Sequence, residues 1–353
     1  MRDGSVLILK GEDVLSLLSN RTAAIIEAVK SAYEHHTLGN SSLPHSTFLR
    51  FPGADRNRII ALPAYLGGDY EGAGVKWVAS FPENVKHGMD RASTVIVLNS
   101  VATGRPEAII EGSLINAKRT AASAALAARY LHDTDVDRIA ILGCGPIGFE
   151  IQRFLISVFP QIRTSYVCDT DPARAETFKA KSEAAFEGLT VTPAPNIRSL
   201  LKSSSLIVLA TTAGTPHIFD LDGIGERSTI LNISLRDLSP EIILGSDNIV
   251  DDPDHVCREK TSLHLAEQIA GNRDFIRGAL AEVTLGRIPP RRDRRGTVVF
   301  SPFGLGVLDI AVSRLLYRLA LDEKKGLMLD SFVPEGWSSS RASAPKAPKP
   351  GHE

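Results

Sequence analysis

The sequence predicts a two-part α/β protein, a doubly wound parallel sheet joined to a separate α+β part. Three observations predict it. Residues 138–169 read strand, glycine turn, helix, strand and acid. Strands and helices then keep alternating to about residue 304. The first third is instead β-rich, with Gly, Pro, Asn and Asp in its turns. A length of 353 residues also suits two domains better than one.

The elements follow in order. Val6–Leu9 is a short apolar strand, and Gly11-Glu12-Asp13 opens a helix to about Leu18. Residues 21–36 form a second helix, because Ile25, Ile26, Val29 and Tyr33 recur on one face. Thr47–Phe51, 58–63, 74–80, 93–99 and 107–111 read as strands separated by turn residues. Residues 114–131 are an Ala-rich helix joining the two parts. Beyond the glycine turn, 149–158 is an amphipathic helix and 165–168 a strand, and 205–210, 229–233 and 248–250 are buried strands. Ser262–Ala270 and 274–284 are expected as helices, 297–300 as a strand and 305–322 as a strongly apolar helix. The Ser-, Ala-, Pro- and Lys-rich tail 338–353 is expected to be disordered.

The segment Ile139-Ala140-Ile141-Leu142-Gly143-Cys144-Gly145-Pro146-Ile147-Gly148 is the dinucleotide-binding pattern of a Rossmann fold. Gly143 permits the tight turn, Gly145 lets backbone approach a pyrophosphate, and Gly148 lets the helix pack on the strand. The helix start at Ile147 offers free N–H groups and partial positive charge. Asp169 closes the second strand, 26 residues after Gly143, where a carboxylate accepts from ribose hydroxyls. No arginine follows it at once, so NAD is expected over NADP.

Composition narrows the partners. Hydrophobic residues at 43% and charged residues at 23% fit a globular enzyme, and a net charge of −1 gives no electrostatic case for nucleic acid or anionic membrane. The basic loop 287–295 lacks interleaved aromatics and reads as solvated. Cys144, Cys168 and Cys257 have no metal-ligand spacing, so neither a metal site nor a disulfide framework is expected. Cys144 reads as a small filler of the glycine turn. The first residues show no signal pattern and no apolar run reaches a membrane span, so a cytoplasmic protein is expected.

Four other places carry candidate chemistry. Lys76 lies inside an apolar strand and Arg119 near the start of the joining helix; Asp237 follows a buried strand, and Phe300 to Gly306 opens the last long helix. Two cations hold carboxylates, and a carboxylate beside a C–N carbon stabilises the iminium left by hydride loss and activates water against it. From the residues alone, Lys76 is equally a snorkelling lysine, Arg119 a helix-surface cation, and Asp237 an N-cap ahead of Pro240.

At these residues the chain resembles the ornithine cyclodeaminase/μ-crystallin family of NAD(P)-dependent amino-acid enzymes, from about residue 7 to about residue 326. Leu62-Pro63-Ala64-Tyr65, Gly74-Val75-Lys76, Lys118-Arg119-Thr120-Ala121-Ala122-Ser123, Thr211-Thr212 and Arg236-Asp237-Leu238-Ser239-Pro240-Glu241 carry the resemblance. It implies that Lys76 and Arg119 grip substrate carboxylate, that Thr120, Thr211 and Thr212 contact the dinucleotide, and that Asp237 is catalytic together with Lys76. It also implies a homodimer, which fits a β-rich first third with too few helices to cover its sheet. The implied domains are 1–122 with 305–330 for substrate binding and dimerisation, and 123–304 for the cofactor.

Within the family, Ala79 to Asn84, Asp90-Arg91-Ala92-Ser93, Leu98-Asn99 and Phe300 to Gly306 with Asp309 resemble the branch that makes L-2,3-diaminopropionate for siderophores or peptide antibiotics. That resemblance implies oxidation of N-[(2S)-2-amino-2-carboxyethyl]-L-glutamate by NAD+, with water releasing 2-oxoglutarate. Two other readings stay open: conversion of L-ornithine to L-proline and ammonia, and a binding protein of the μ-crystallin type that holds NAD(P) without turnover. One departure stands out. Many members place an arginine where Pro44-His45-Ser46 has Ser46, so that carboxylate contact is absent or passes to Arg50. Arg236, often glycine in relatives, is either a carboxylate contact or a solvent-facing cation.

Overall fold

The computed structural model describes residues 4–132, 135–293 and 296–333. The tail 338–353 lies outside them.

The chain begins with β1 (Val6–Leu9), α1 (Gly11–Leu18) and α2 (Thr22–Thr37). An antiparallel run follows: β2 (Ser41–Ser42), β3 (Thr47–Phe51), β4 (Ala54–Leu66), β5 (Gly72–Ser80), β6 (Ala92–Asn99) and β7 (Pro106–Glu111). The joining helix α3 (Ser113–Leu131) leads into β8 (Arg138–Leu142), α4 (Pro146–Val158), β9 (Thr164–Cys168), α5 (Pro172–Ala185) and β10 (Thr190–Pro193). Next come α6 (Ile197–Leu201), β11 (Leu206–Leu209), β12 (Thr229–Asn232), α7 (Pro240–Leu244), β13 (Asp247–Val250), α8 (Pro253–Val256) and α9 (Ser262–Ala270). The chain continues through β14 (Ile276–Ala279), α10 (Leu280–Thr284), β15 (Val298–Ser301), α11 (Gly306–Asp322) and β16 (Leu327–Leu329).

These strands make two sheets. The first runs β16-β1-β7-β6-β5-β4-β2, with β3 also paired to β4. Its covered face carries Leu66, Ile96, Leu98, Ala108 and Ile110, all essentially without solvent exposure, under α2, α3 and α11. The antiparallel register sets Leu62, Lys76, Ile96 and Ile110 opposite one another, so Lys76 points into this covered layer. The opposite face is open: Leu49 is 47% and Trp77 43% exposed.

The second sheet is wholly parallel, in the order β10-β9-β8-β11-β12-β15-β13-β14. Buried runs such as Leu206–Leu209 and Thr229–Asn232 are what a strand covered on both faces requires. Direction of travel through the sheet reverses between β8 and β11, and the crevice at the carboxyl ends of those strands is the binding position of a doubly wound fold. The α/β class and the doubly wound sheet are therefore as the sequence predicts.

Some elements differ. The expected helix 274–284 is instead β14 followed by the short α10. Arg277 is drawn to Asp247 of β13 at 2.6 Å, and β14 pairs with β13; the helix starts only where Glu282 accepts the Ala279 N–H at 2.9 Å. α4 begins three residues before the expected 149, because Pro146 suits a first helical position and Gly145 caps it. The edge strands β10 and β16 are too short and too exposed to have been legible as apolar runs.

Candidate active site

The glycine turn lies at the reversal point. Gly143 has φ +100°, and a Cβ there would lie 2.4 Å from the Ala210 carbonyl oxygen of the neighbouring strand end. A Cβ on Gly148 would lie 2.5 Å from the Gly143 oxygen, so both positions require glycine for packing. Gly145 differs: a Cβ there meets nothing within 4 Å. Its open side faces outward at the start of the 13-residue helix α4, whose first turn, with Ile147 and Gly148, presents N–H groups to an anion. Asp169 follows β9 and accepts the Cys144 N–H at 2.8 Å and the Asp171 N–H at 3.0 Å, so it braces the turn while staying partly exposed. These residues fit a dinucleotide. Burial, then the Asp169 charge, pushes the Cys144 thiol up to about 12, which makes it an inert filler.

The threonines behave differently from one another. Thr120 donates to the Asn116 carbonyl at 2.7 Å within its own helix. Thr211 donates to Asp237 at 2.5 Å and accepts the Ala213 N–H at 3.0 Å, while Thr212 beside it is exposed.

The second feature is a buried charge cluster. Lys76 of β5 is 2% exposed and donates to Asp309 Oδ2 at 2.6 Å and to Asn116 Oδ1 at 3.2 Å. Arg119 of α3 donates through Nε to Asp309 Oδ1 at 3.2 Å and through Nη2 to the same Asn116 oxygen at 2.6 Å. The structure thus brings the two candidate cations together, through an acid and an amide that the sequence reading did not assign. Asp309 had a signal: an acid in the first turn of α11 inside the buried run Val307 to Val312. Burial and the neighbouring Arg119 charge push Lys76 down to about 8, against the opposing pull of Asp309.

The stretch 300–306 completes this cluster. Phe303 and Gly304 donate their N–H groups to Asp251 at 2.9 and 2.8 Å. Burial raises Asp251 to about 6 despite those donors. Gly304 has φ +94°, and a Cβ there would lie 2.8 Å from Arg119 Nη1, so only glycine lets the guanidinium lie along this backbone.

Asp237, fully buried after β12, accepts from Thr211, Ser234 and His217, the last at 2.8 Å through Nε2. It is not an N-cap: Ser239 caps α7 instead. His217 carries no sequence signal. It arrives because the Ile218–Leu238 bridge lays its segment against the Asp237 loop. Arg50 does not join Lys76 and Arg119; it is half-exposed and lies 3.4 Å from Glu259. Arg236 is half-buried and donates to the Glu259 carbonyl at 2.7 Å, so the solvent-facing alternative does not hold. Ser46 lines a cleft with His45, Phe48, His255, Arg258 and Phe303. Among the described residues no helix is long and apolar enough to cross a membrane.

Comparison with known proteins gives a consistent outcome. Residues 7–324 match the Ornithine cyclodeaminase/mu-crystallin family. The chain is 27% identical over 333 residues to N-((2S)-2-amino-2-carboxyethyl)-L-glutamate dehydrogenase of Staphylococcus aureus, covering 93% of this chain and 99% of that protein. The fold is similar to that of Thermococcus litoralis Delta(1)-pyrroline-2-carboxylate reductase in complex with NADH and L-proline (TM-score 0.85, 27% identity, 91% of this chain and 99% of that one). It is also similar to an archaeal alanine dehydrogenase dimer with bound NAD (TM-score 0.82, 26% identity, 92% and 99%).

The cluster predicts an unusual lysine. In a titration of lysine side chains by carbon-detected NMR, Lys76 should lose its proton near pH 8 rather than near 10.5, and Asp309→Asn should lower that midpoint further. Because the folded value lies below the unfolded one, the stability cost of burying Lys76 is full below about pH 8 and fades between about 8 and 10.5. A Lys76 that titrates with the surface lysines contradicts this.

Proposed function

This chain belongs to the ornithine cyclodeaminase/mu-crystallin family, and from that premise we propose that it oxidises N-[(2S)-2-amino-2-carboxyethyl]-L-glutamate to L-2,3-diaminopropionate and 2-oxoglutarate, for siderophore or peptide-antibiotic assembly. It is an NAD-dependent oxidoreductase of amino-acid substrates. The observation that carries the finer reading is the pair of buried cations, Lys76 and Arg119, sharing Asp309 on the covered face of the first sheet. The likeness to the Staphylococcus aureus enzyme over nearly both full lengths supports it. Residues 1–122 with 305–330 are assigned to substrate and residues 123–304 to cofactor; each sheet lies within one of those spans.

The residues divide the work. Gly143, Gly145, Ile147, Gly148 and Asp169 would hold NAD+, which would supply the acceptor for the hydride of the glutamate α-carbon. Lys76 and Arg119 hold the carboxylate on that carbon with the N–H donors that Asp309 and Asn116 leave over. Asp309 offsets their charge without occupying every donor. Asp237 stands as a fixed anion against the iminium formed on the substrate. Its three donors fix its position, and it orients the His217 ring, which is about one-third exposed (34%) and able to take a proton from the attacking water. Water adds to the iminium carbon to give a carbinolamine, and its collapse, with a proton moved to nitrogen, forms the C=O of 2-oxoglutarate and breaks the C–N bond to release the primary amine.

The test supplies NAD+ with either the conjugate or L-ornithine and follows NADH absorbance and products by mass spectrometry. The conjugate should yield NADH and 2-oxoglutarate in equal amounts, and Asp237→Asn should lower kcat on the order of 10²-fold with NAD affinity unchanged. Proline and ammonia from ornithine, with no reaction of the conjugate, would overturn the reading.

The open face of the first sheet, with Leu49 and Trp77 exposed, is assigned to a second copy of the chain. Sedimentation equilibrium should show a dimer at micromolar concentration and a monomer for Trp77→Asp. A wild-type monomer contradicts the assignment.

A further inference from the structure

A row of arginines crosses the first sheet at one end. The register sets Arg50 of β3 opposite Arg58 of β4, Arg58 opposite Ser80 of β5, and Ser80 opposite Ala92 of β6, next to Arg91. Directly opposed residues share a face, and Arg58 lies four residues from Leu62, the partner of Lys76. Arg50 and Arg58 therefore share the face of Lys76, about 13 Å along the strands at ~3.3 Å per residue, and Arg91, just before β6, lies within electrostatic reach of Arg58. Arg91 is held here by the Phe81 N–H, which donates to its carbonyl at 2.8 Å.

Like charges opposite one another weaken a sheet, so such a row needs a counter-charge. Among the described side chains, neither Arg58 nor Arg91 forms an ion pair, and Arg58 Nε is buried without a hydrogen-bond partner. Arg236, from the loop that carries Asp237, lies within electrostatic reach of Arg58. Glu259 reaches Arg50 at 3.4 Å, and its carbonyl takes one N–H of Arg236. Glu259 and Lys260 have φ +52° and +55°, a strained left-handed pair that holds this loop against the row. A planar carboxylate fits guanidinium donors left without acceptors, and this one would lie beside the proposed catalytic acid.

We propose that Arg58, Arg91 and Arg236 form a second carboxylate subsite, which takes the distal carboxylate of a dicarboxylic amino-acid substrate whose α-carboxylate rests on Lys76 and Arg119. The subsite rests on the functional reading above and adds what selects within it. A distal carboxylate is bound, a distal amide is bound less well, and a distal ammonium is repelled. It also explains why Ser46 replaces an arginine without loss of the anion site, because the charge lies farther along the same face.

The test titrates the protein–NADH complex with 2-oxoglutarate and with its δ-amide, 2-oxoglutaramate, by calorimetry, so it needs no turnover. Wild type should bind the diacid at least about tenfold more tightly than the amide, the range of one charge-assisted hydrogen-bonded contact. Arg91→Ala and Arg58→Gln should each remove most of that preference by weakening the diacid alone, with amide and NADH affinities unchanged. Arg91→Lys should restore part of it. No preference in wild type, or an undiminished preference in both variants, overturns the subsite. A preference that follows the arginines, with no turnover of the conjugate, keeps the subsite and rejects only the substrate named above.

Discussion

The burial of two cations around one acid is the constraint from which the site follows. Lys76 comes from a strand, Arg119 from the joining helix and Asp309 from the last long helix, and none of the three is more than slightly exposed. An unpaired buried charge costs several kcal/mol, so the three elements are obliged to pack in one relative position. The same demand reaches the second sheet. Asp251, after β13, grips the N–H groups of Phe303 and Gly304, and Gly304 brings bare backbone against the Arg119 guanidinium. The two buried cations are thereby fixed with respect to the sheet that carries the glycine turn.

The other half of the site obeys a different constraint, close backbone approach. Gly143 lets the end of β8 turn against the end of β11, and the next residue there, Thr211, hydrogen-bonds Asp237. The glycine turn and the buried Asp237 are therefore joined through one threonine. Asp237 is held in place by Thr211 and His217 from the stretch after β11 and by Ser234 of its own loop.

Much of this was legible in the sequence, for identifiable reasons. The parallel sheet announces itself by continuous apolar strands and the glycine spacing. Lys76 stood out as a cation inside an apolar strand and Arg119 as one near the start of the joining helix, and only the family resemblance gave the pair a shared role. What the sequence did not disclose depends on contacts between distant segments. His217 meets Asp237 only through a two-residue bridge, Asn116 serves both cations only because α3 packs on β6 beside β5, and Arg50 meets Arg58 only through strand register. The helix expected over 274–284 failed for the same kind of reason: Asp247 captures Arg277 and turns a helical pattern into an edge strand. Arg50 was read as a substitute for the arginine missing at Ser46, whereas Glu259 holds it elsewhere on the same face.

The central claim, that Lys76 is a depressed lysine kept for a carboxylate, has a direct test in proton exchange. A carboxylate arriving beside it must raise its pKa, so binding near pH 8 must draw protons from solution. Titration of the NADH complex with 2-oxoglutarate, in buffers of different ionisation enthalpy, should show an uptake of roughly half a proton per site near pH 8. The uptake should vanish at pH 6 and in Lys76→Met. Binding without proton uptake across that range would contradict the account.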